Sequence, residues 1–248
     1  MQIDIISLFP EMFAGPFGQS ITKRAIENNL LKVQITNPRQ FAFDKHQQVD
    51  DTPFGGGNGM VLKPEPFFRA VKHIKENTEF INRRVLLMCP SGQPFTQAKA
   101  KELANYDQLI FVCGHYEGFD ARITDHLVDE AISIGDYVLT GGELPAMVIV
   151  DALSRMLPGV LGSAESAPTD SFYAGLLECP QYTRPREYHG LSVPDILLSG
   201  DHAKINLWRR REALRVTFCA RPDLLEKVEL DAVDRKLLAE IKAEHGGS

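Results

Sequence analysis

Residues Ile134 to Pro145 read IGDYVLTGGELP, a polar and glycine-rich stretch between an apolar run that ends at Ile134 and a second apolar run, Leu144 to Leu157. The first run has the length of a strand and the second the length and spacing of a helix. Gly135, Gly141 and Gly142 can adopt positive φ and let a ligand approach the backbone, and Pro145 suits the first turn of the helix that follows. Alone, the double glycine reads as a plain strand-to-helix turn. Two companions change that reading. Leu87 to Phe95 (LMCPSGQPF) and Cys113 to Gly118 (CGHYEG) also follow apolar segments and break into Gly, Pro and Ser at the strand's end. Three such ends together make one pocket at the carboxyl edge of a sheet.

Working outward, strand-like and helix-like stretches alternate through the first 160 residues. Strands are expected at Gln2 to Leu8, Lys32 to Asn37, Arg84 to Met88, Gln108 to Cys113 and Glu130 to Ile134. Helices are expected at Gly18 to Asn28, Glu65 to Glu76, Thr96 to Ala104, Ala121 to His126 and Leu144 to Leu157. The alternation predicts an α/β domain with a mostly parallel sheet and helices on both faces. Gly159 to Thr169 (GVLGSAESAPT) breaks the pattern as a flexible linker would. Beyond it, Asp170 to Ser199 is rich in Pro and aromatic residues, and helical periodicity takes over from Asp201, a plausible N-cap. The expected division is a first domain over 1–160, a flexible linker over 161–170 and a small, mainly helical domain over 171–248.

Composition sets bounds on function. At 248 residues with 44% hydrophobic and 24% charged, the chain has material for one large or two smaller cores. No apolar run reaches the roughly 18 residues that span a bilayer, and the start MQIDIISLFPEMF lacks a basic region. A cytoplasmic protein with no membrane partner is expected. Cys89, Cys113, Cys179 and Cys219 form no CxxC pair and the histidines no HxxxH, which argues against structural zinc and a disulfide framework. Cys89 and Cys113, at apolar strand ends, read as buried, inert thiols.

Charge is informative by segment. Against a formal net of −6, Thr183 to Arg221 holds seven Arg and one Lys with four acidic residues, a net of +4. Its densest part, Trp208-Arg209-Arg210-Arg211 with Arg215 one turn on, reads equally as a phosphate-contacting patch or a solvated helix face. A second glycine cluster, Gly55, Gly56, Gly57 and Gly59, lies in the long connection Phe43 to Leu62. No Gly-Lys-Ser/Thr and no GxGxxG in register accompanies it, so it is neither a P-loop nor a dinucleotide fingerprint. A connection of that length reads as a lid or partner contact, with simple flexibility as the alternative.

The runs DDTPFGGGNGMVL, CGHYEGFDARI, IGDYVLTGGELPAMVIVDALSRMLPGVLG, DSF and GDHAKINLWRR, in this order, resemble the bacterial tRNA (guanine-N1)-methyltransferases that modify guanine 37 beside the anticodon. The likeness runs from the first strand to the helical tail. It implies the SPOUT class, with a deep trefoil knot that topology rules alone do not predict. It also implies S-adenosylmethionine between three walls: Leu87, Met88, Cys89 and Pro90; Gly114, Tyr116 and Glu117; and Ile134, Gly135, Tyr137, Leu139, Gly141, Gly142 and Pro145. Many relatives carry Arg where this chain has His115, a position expected to face outward or toward a partner.

The resemblance further implies the chemistry. Guanine N1 is a poor nucleophile until its proton leaves, and Asp170 matches the family's general base. A carboxylate of pKa about 3.9 cannot take that proton unaided, so Arg155 is expected to donate to O6 and stabilise the developing charge. From the residues alone, Asp170 reads as a helix N-cap and Arg155 as one half of a surface ion pair. A homodimer is implied, each active site completed by the partner's linker and second domain. Asp51 and Gly55, Gly56, Gly57 and Gly59 are expected to order over the substrate, and His202, Trp208 and Arg209 to shape the tRNA-binding domain. Magnesium is implied as well, although no carboxylate cluster in the sequence marks a site for it. Two other classes compete with this reading: a non-catalytic RNA-binding protein of the same fold, and a nucleotide-phosphate enzyme using the Gly55 to Gly59 loop, which lacks the required Lys and carboxylate register.

Overall fold

The sheet is built from strands that lie at different depths, although the strands Gln2–Ile6 and Lys32–Thr36 share an alternating polar and apolar sequence. In the computed structural model, which describes residues 1–161 and 170–246, β1 (Gln2–Ile6) and β6 (Gln108–Val112) are buried at every position. That is the pattern of strands covered on both faces. β2 (Lys32–Thr36) keeps Lys32 and Gln34 exposed and half-buries Val33 and Ile35, as an edge strand does. With β5 (Arg83–Pro94) and β7 (Glu130–Ser133) these form one sheet in the order β2-β1-β6-β5-β7, parallel throughout. β3 (Asp50–Asp51) and β4 (Val61–Leu62) form a short antiparallel arm.

Alternate residues of the strands feed two cores. On one face Ile3, Ile5, Leu86, Leu109 and Phe111 pack with Ala25 of α2 (Ser20–Glu27), Leu103 of α4 (Gln97–Leu103) and Ile149 and Leu153 of α6 (Glu143–Ser154). On the other, Ile6, Val85, Leu87, Ile110 and Val112 pack with Phe67, Val71 and Ile74 of α3 (Pro64–Glu76) and Ile123 of α5 (Ala121–His126). The mixed α/β architecture with a central parallel sheet and helices on both faces follows from that alternation. Fully burying one such side chain stabilises by about 1.5–3 kcal/mol, a sizeable part of a typical net stability of about 5–15 kcal/mol.

One strand departs from expectation. Arg84 to Met88 was expected to end a strand, yet β5 continues to Pro94. Met88 and Gln93 both face Ile132 of β7, so the residues between them leave the ladder as a bulge and pairing then resumes. At Gly92 a Cβ would stand 2.6 Å from the Ala131 carbonyl oxygen, so the strands approach too closely there for any side chain. The Pro, Ser and Gly of this segment mark the bulge rather than the end of pairing.

The described residues fall into two compact units, divided between Ala164 and Glu165. Apart from Leu161 and Asp170, the expected linker lies outside the described residues. In the second unit the helix His202–Ala220 starts at Asp201, whose side chain accepts from the Lys204 N–H at 3.1 Å. It packs with the helix Ala232–Gly246 around Leu176, Leu214, Leu237 and Ile241. A small hairpin, β8 (Glu187–Tyr188) and β9 (Leu191–Ser192), precedes them.

Candidate active site

The chain after β1 turns toward β2 on one side, while the connection after β6 leads past β5 to β7 on the other. Such a reversal leaves a crevice at the carboxyl ends of the strands. There the ends of β5, β6 and β7 enclose a cleft of about 430 Å³. Leu87, Met88, Cys89 and Pro90 line it from β5, Gly114, Tyr116 and Glu117 from the turn after β6, and Ile134, Gly135, Tyr137, Leu139, Gly141, Gly142 and Pro145 from the loop and helix after β7. Fourteen residues singled out in the sequence thus meet in one place. Cys113, directly behind the cleft, is fully buried, and that burial pushes its thiol well up, with the Glu143 carboxylate adding to the shift. Cys89 differs from its expected burial: it is half-buried, lines the cleft, and holds its Sγ 3.0 Å from Ser91 Oγ, because it sits in the bulge of β5.

The glycines of the quoted stretch work differently from one another. Gly135 has φ of 153°. Gly142 instead has φ of −81° as the N-cap of α6, and Gly141 is not in the left-handed region either. At these two positions the need is for space. A Cβ on Gly142 would stand 2.8 Å from Cys113 Cα, and one on Gly141 would stand 2.5 Å from Glu143 Oε2. The expectation of positive φ at Gly141 and Gly142 is therefore corrected: close packing against protein, and not a left-handed turn, excludes side chains.

The glycine cluster of the long connection lies beside this cleft. Gly55, Gly56, Gly57 and Gly59 all have positive φ. A Cβ on Gly59 would stand 2.5 Å from Glu117 Oε1, and the Glu117 N–H donates to the Met60 carbonyl at 3.1 Å. Asp51, on β3, is exposed and accepts from the Thr52 N–H at 2.8 Å.

Arg155 is half-buried at the C-cap of α6, in the first unit, and Asp170 opens the described part of the second. His202 and Arg209 are exposed on the helix His202–Ala220, and Trp208 is half-buried with its ring 6.3 Å from that of Tyr182. The basic run of this helix is largely consumed internally. Arg210 holds Asp234 through two bonds of 2.7 and 2.5 Å, Arg211 holds Glu244 at 2.6 Å, and Arg215 holds Glu212 at 2.6 Å. The Arg210 guanidinium keeps the Asp234 carboxyl below the usual range, and Glu212 raises Arg215. Arg209 makes no ion pair among the described residues. Among the described residues no group of three His, Cys, Asp or Glu side chains is gathered to hold a metal ion.

The tRNA (Guanine-1)-methyltransferase TrmD family matches residues 1–227. This chain belongs to that family. It is 59% identical to the tRNA (guanine-N(1)-)-methyltransferase of Desulforamulus reducens over 98% of this chain and 95% of that protein. The proteins of the same description from Dehalococcoides mccartyi and Staphylococcus aureus are 56% and 55% identical, each over 98% of both chains.

In this member of the methyltransferase family, the position that differs from the expected Arg does not face outward. His115 lines the cleft, its side chain is 15% exposed, and its Nε2 lies 2.8 Å from Oε2 of Glu143, which is buried. Of the two placements expected of His115, outward or toward a partner, the outward one is corrected by that bond, since a buried carboxylate draws the nearest donor inward. Sequence reasoning also missed Ile132, Ser133, Val138 and Thr140 on the cleft wall and Glu143 behind it. Val138 and Thr140 lie inside the stretch first quoted. An acid at the first position of a helix was the available signal for Glu143.

Proposed function

We propose that this chain transfers the methyl group of S-adenosylmethionine to N1 of guanine 37 in tRNA, giving N1-methylguanosine beside the anticodon. The observation that carries the reading is the cleft itself, in a member of this family: three strand ends bring all fourteen expected lining residues around one volume. A cleft of about 430 Å³ is of ligand size. Its apolar wall of Leu87, Ile132, Ile134 and Leu139 suits a purine, and the Glu117 carboxylate at the rim suits hydroxyl or ammonium donors.

When bound, the cofactor supplies a methyl group on a sulfonium, already electrophilic. The protein's part is to free the N1 lone pair. In this reading Asp170 takes the N1 proton while Arg155 donates to O6, so that the charge left on the guanine is met as it forms. Asp170 belongs to the second unit and the cleft to the first, and the reading has a homodimer in which one protomer's linker and second domain complete the other's cleft. Exposed Leu144 and Val148, one turn apart on α6, with exposed Phe9 and Met12, support a face covered by a partner. The trefoil knot of the SPOUT class belongs to the reading too. Supporting it, the Gly142 N–H donates to the Gly114 carbonyl at 2.9 Å, tucking the loop after β7 against the end of β6.

Residues 1–160 are then the cofactor domain, 161–170 the linker and 171–248 the tRNA-binding domain, with His202, Trp208 and Arg209 toward RNA. Asp51 and the glycines at 55, 56, 57 and 59 act as a cover over the substrate, and a cytoplasmic location follows from the tRNA substrate. Magnesium stays in the reading without assigned residues.

The test is methyl transfer from labelled S-adenosylmethionine to unmodified tRNA transcripts that differ only at position 37, with the product nucleoside identified by mass spectrometry. N1-methylguanosine formed only with guanine at 37 supports substrate, site and reaction together. Transfer that ignores position 37 would overturn the site, and no transfer at all would overturn the reaction.

A further inference from the structure

We infer that His115 is a positioning residue: through buried Glu143 and Ser7 it latches three strand ends into the shape that binds S-adenosylmethionine, an inference that rests on the methyl-transfer reading above. The three residues come from separate parts of the cleft's floor. Ser7 follows β1, His115 follows β6, and Glu143 ends the loop after β7. Glu143 is 1% exposed, yet it is not solitary: Ser7 Oγ donates to Oε1 at 2.5 Å and His115 Nε2 lies 2.8 Å from Oε2. The Phe9 N–H donates to Ser7 Oγ at 2.9 Å, which directs the serine proton toward Glu143.

Charge logic assigns the proton between the other two. Glu143 is the first residue of α6, where the helix dipole favours a carboxylate, and a buried carboxylate demands donors. His115 therefore presents Nε2–H to it, and the ring is held in one orientation by the acid behind it. The Phe9 ring packs against that of His115 in a tilted arrangement, with ring centroids 4.6 Å apart and an interplanar angle of 58°. The bond runs over Gly141, so it also fixes the loop that lines the third wall. Without it, the turn after β6 and the loop before α6 lose a side-chain tie across the cleft floor, and the wall that receives the cofactor is no longer set before binding.

The experiment is calorimetric binding of S-adenosylhomocysteine to the full-length protein and to His115→Leu, His115→Gln and Ser7→Ala, with thermal melts on each. Leu keeps the bulk without a donor, and Gln restores a donor at a similar reach. The expected result is roughly tenfold weaker binding for His115→Leu, with His115→Gln within about threefold of the wild type and Ser7→Ala shifted in the same direction as Leu. In turnover, His115→Leu raises KM for the cofactor while kcat at saturation is kept, a split that general loss of fold would not produce. Wild-type Kd in both His115→Leu and Ser7→Ala, or a Gln variant no better than Leu, would overturn the latch. Should His115→Leu lose its cooperative melt, Ser7→Ala alone decides. Absence of binding by the wild type would instead overturn the methyl-transfer reading, and the latch with it.

Discussion

Gly141 lies directly beneath the bond between His115 and Glu143: a Cβ at this glycine would stand 2.5 Å from Glu143 Oε2 and closer still to His115 Nε2. The smallest residue of the loop is thus required by two side chains that belong to different strand ends.

Gly141→Ala is expected to push that pair apart. Overpacking of this kind costs about 1–3 kcal/mol, to which the disturbed buried carboxylate adds. A urea melt of the variant beside the wild type measures the loss, and an unchanged midpoint would mean that the pair yields freely.

Asp170→Ala is expected to leave S-adenosylhomocysteine affinity unchanged and to lower single-turnover methylation by roughly 10² to 10⁴. The two readouts separate a proton-transfer role from a binding role. Methylation at the wild-type rate would remove Asp170 from the chemistry.

Arg209 and Arg210 are neighbours in sequence with opposite expected effects. Arg209→Ala, on an exposed side chain, is expected to leave the melt unchanged, weaken tRNA binding and reduce the salt slope of log K by about 1. Arg210→Ala strands Asp234, which is buried, and is expected to cost about 2 kcal/mol, less than a fully buried pair because the guanidinium is partly solvated. Filter binding across salt concentrations, with denaturant melts, checks both.

The same pair sets an acid dependence. Arg210 holds the Asp234 carboxyl below its ordinary value of 3.8, so the pair's contribution is fully present above that value and is lost as pH falls through the lower, folded value. Wild type and Arg210→Ala are therefore expected to differ in stability at about pH 7 and to converge at an acid pH below the folded value. Urea melts at the two pH values test this, and a gap that widens in acid would contradict it.

Thiol labelling reports on the cleft. Cys89 lines it and is half-buried, while Cys113 is fully buried with its thiol pushed up. Iodoacetamide is expected to modify Cys89 and to spare Cys113, and S-adenosylhomocysteine to protect Cys89. Mass spectrometry of tryptic peptides with and without the ligand distinguishes the two, and equal labelling of Cys89 in both would place the ligand elsewhere.

Much of the cleft is legible in the sequence because its parts are local. A strand that ends in Pro, Ser and Gly announces a turn in a few neighbouring residues, and three such turns met as expected. What was not legible involves partners far apart in the chain. Ser7 and Glu143 are separated by 136 positions, and nothing beside His115 in sequence reveals the buried acid that turns it inward. The arginine run shows the same limit. Its charge is plain in the sequence, but Asp234 and Glu244, which occupy Arg210 and Arg211, lie on another helix.

By itself, the sequence determined the alternation of strands and helices, the cap at Asp201 and the three turns that make the cleft. These depend on periodicity, backbone conformation and local hydrogen bonds, which act over a few residues. Only the tertiary structure decided the bulge that carries β5 on to Pro94, the steric reason for Gly141 and Gly142, the inward turn of His115 and which arginines remain exposed. Each of these depends on close packing or a buried charge meeting its partner, and those energies exist only once distant segments have been brought into contact.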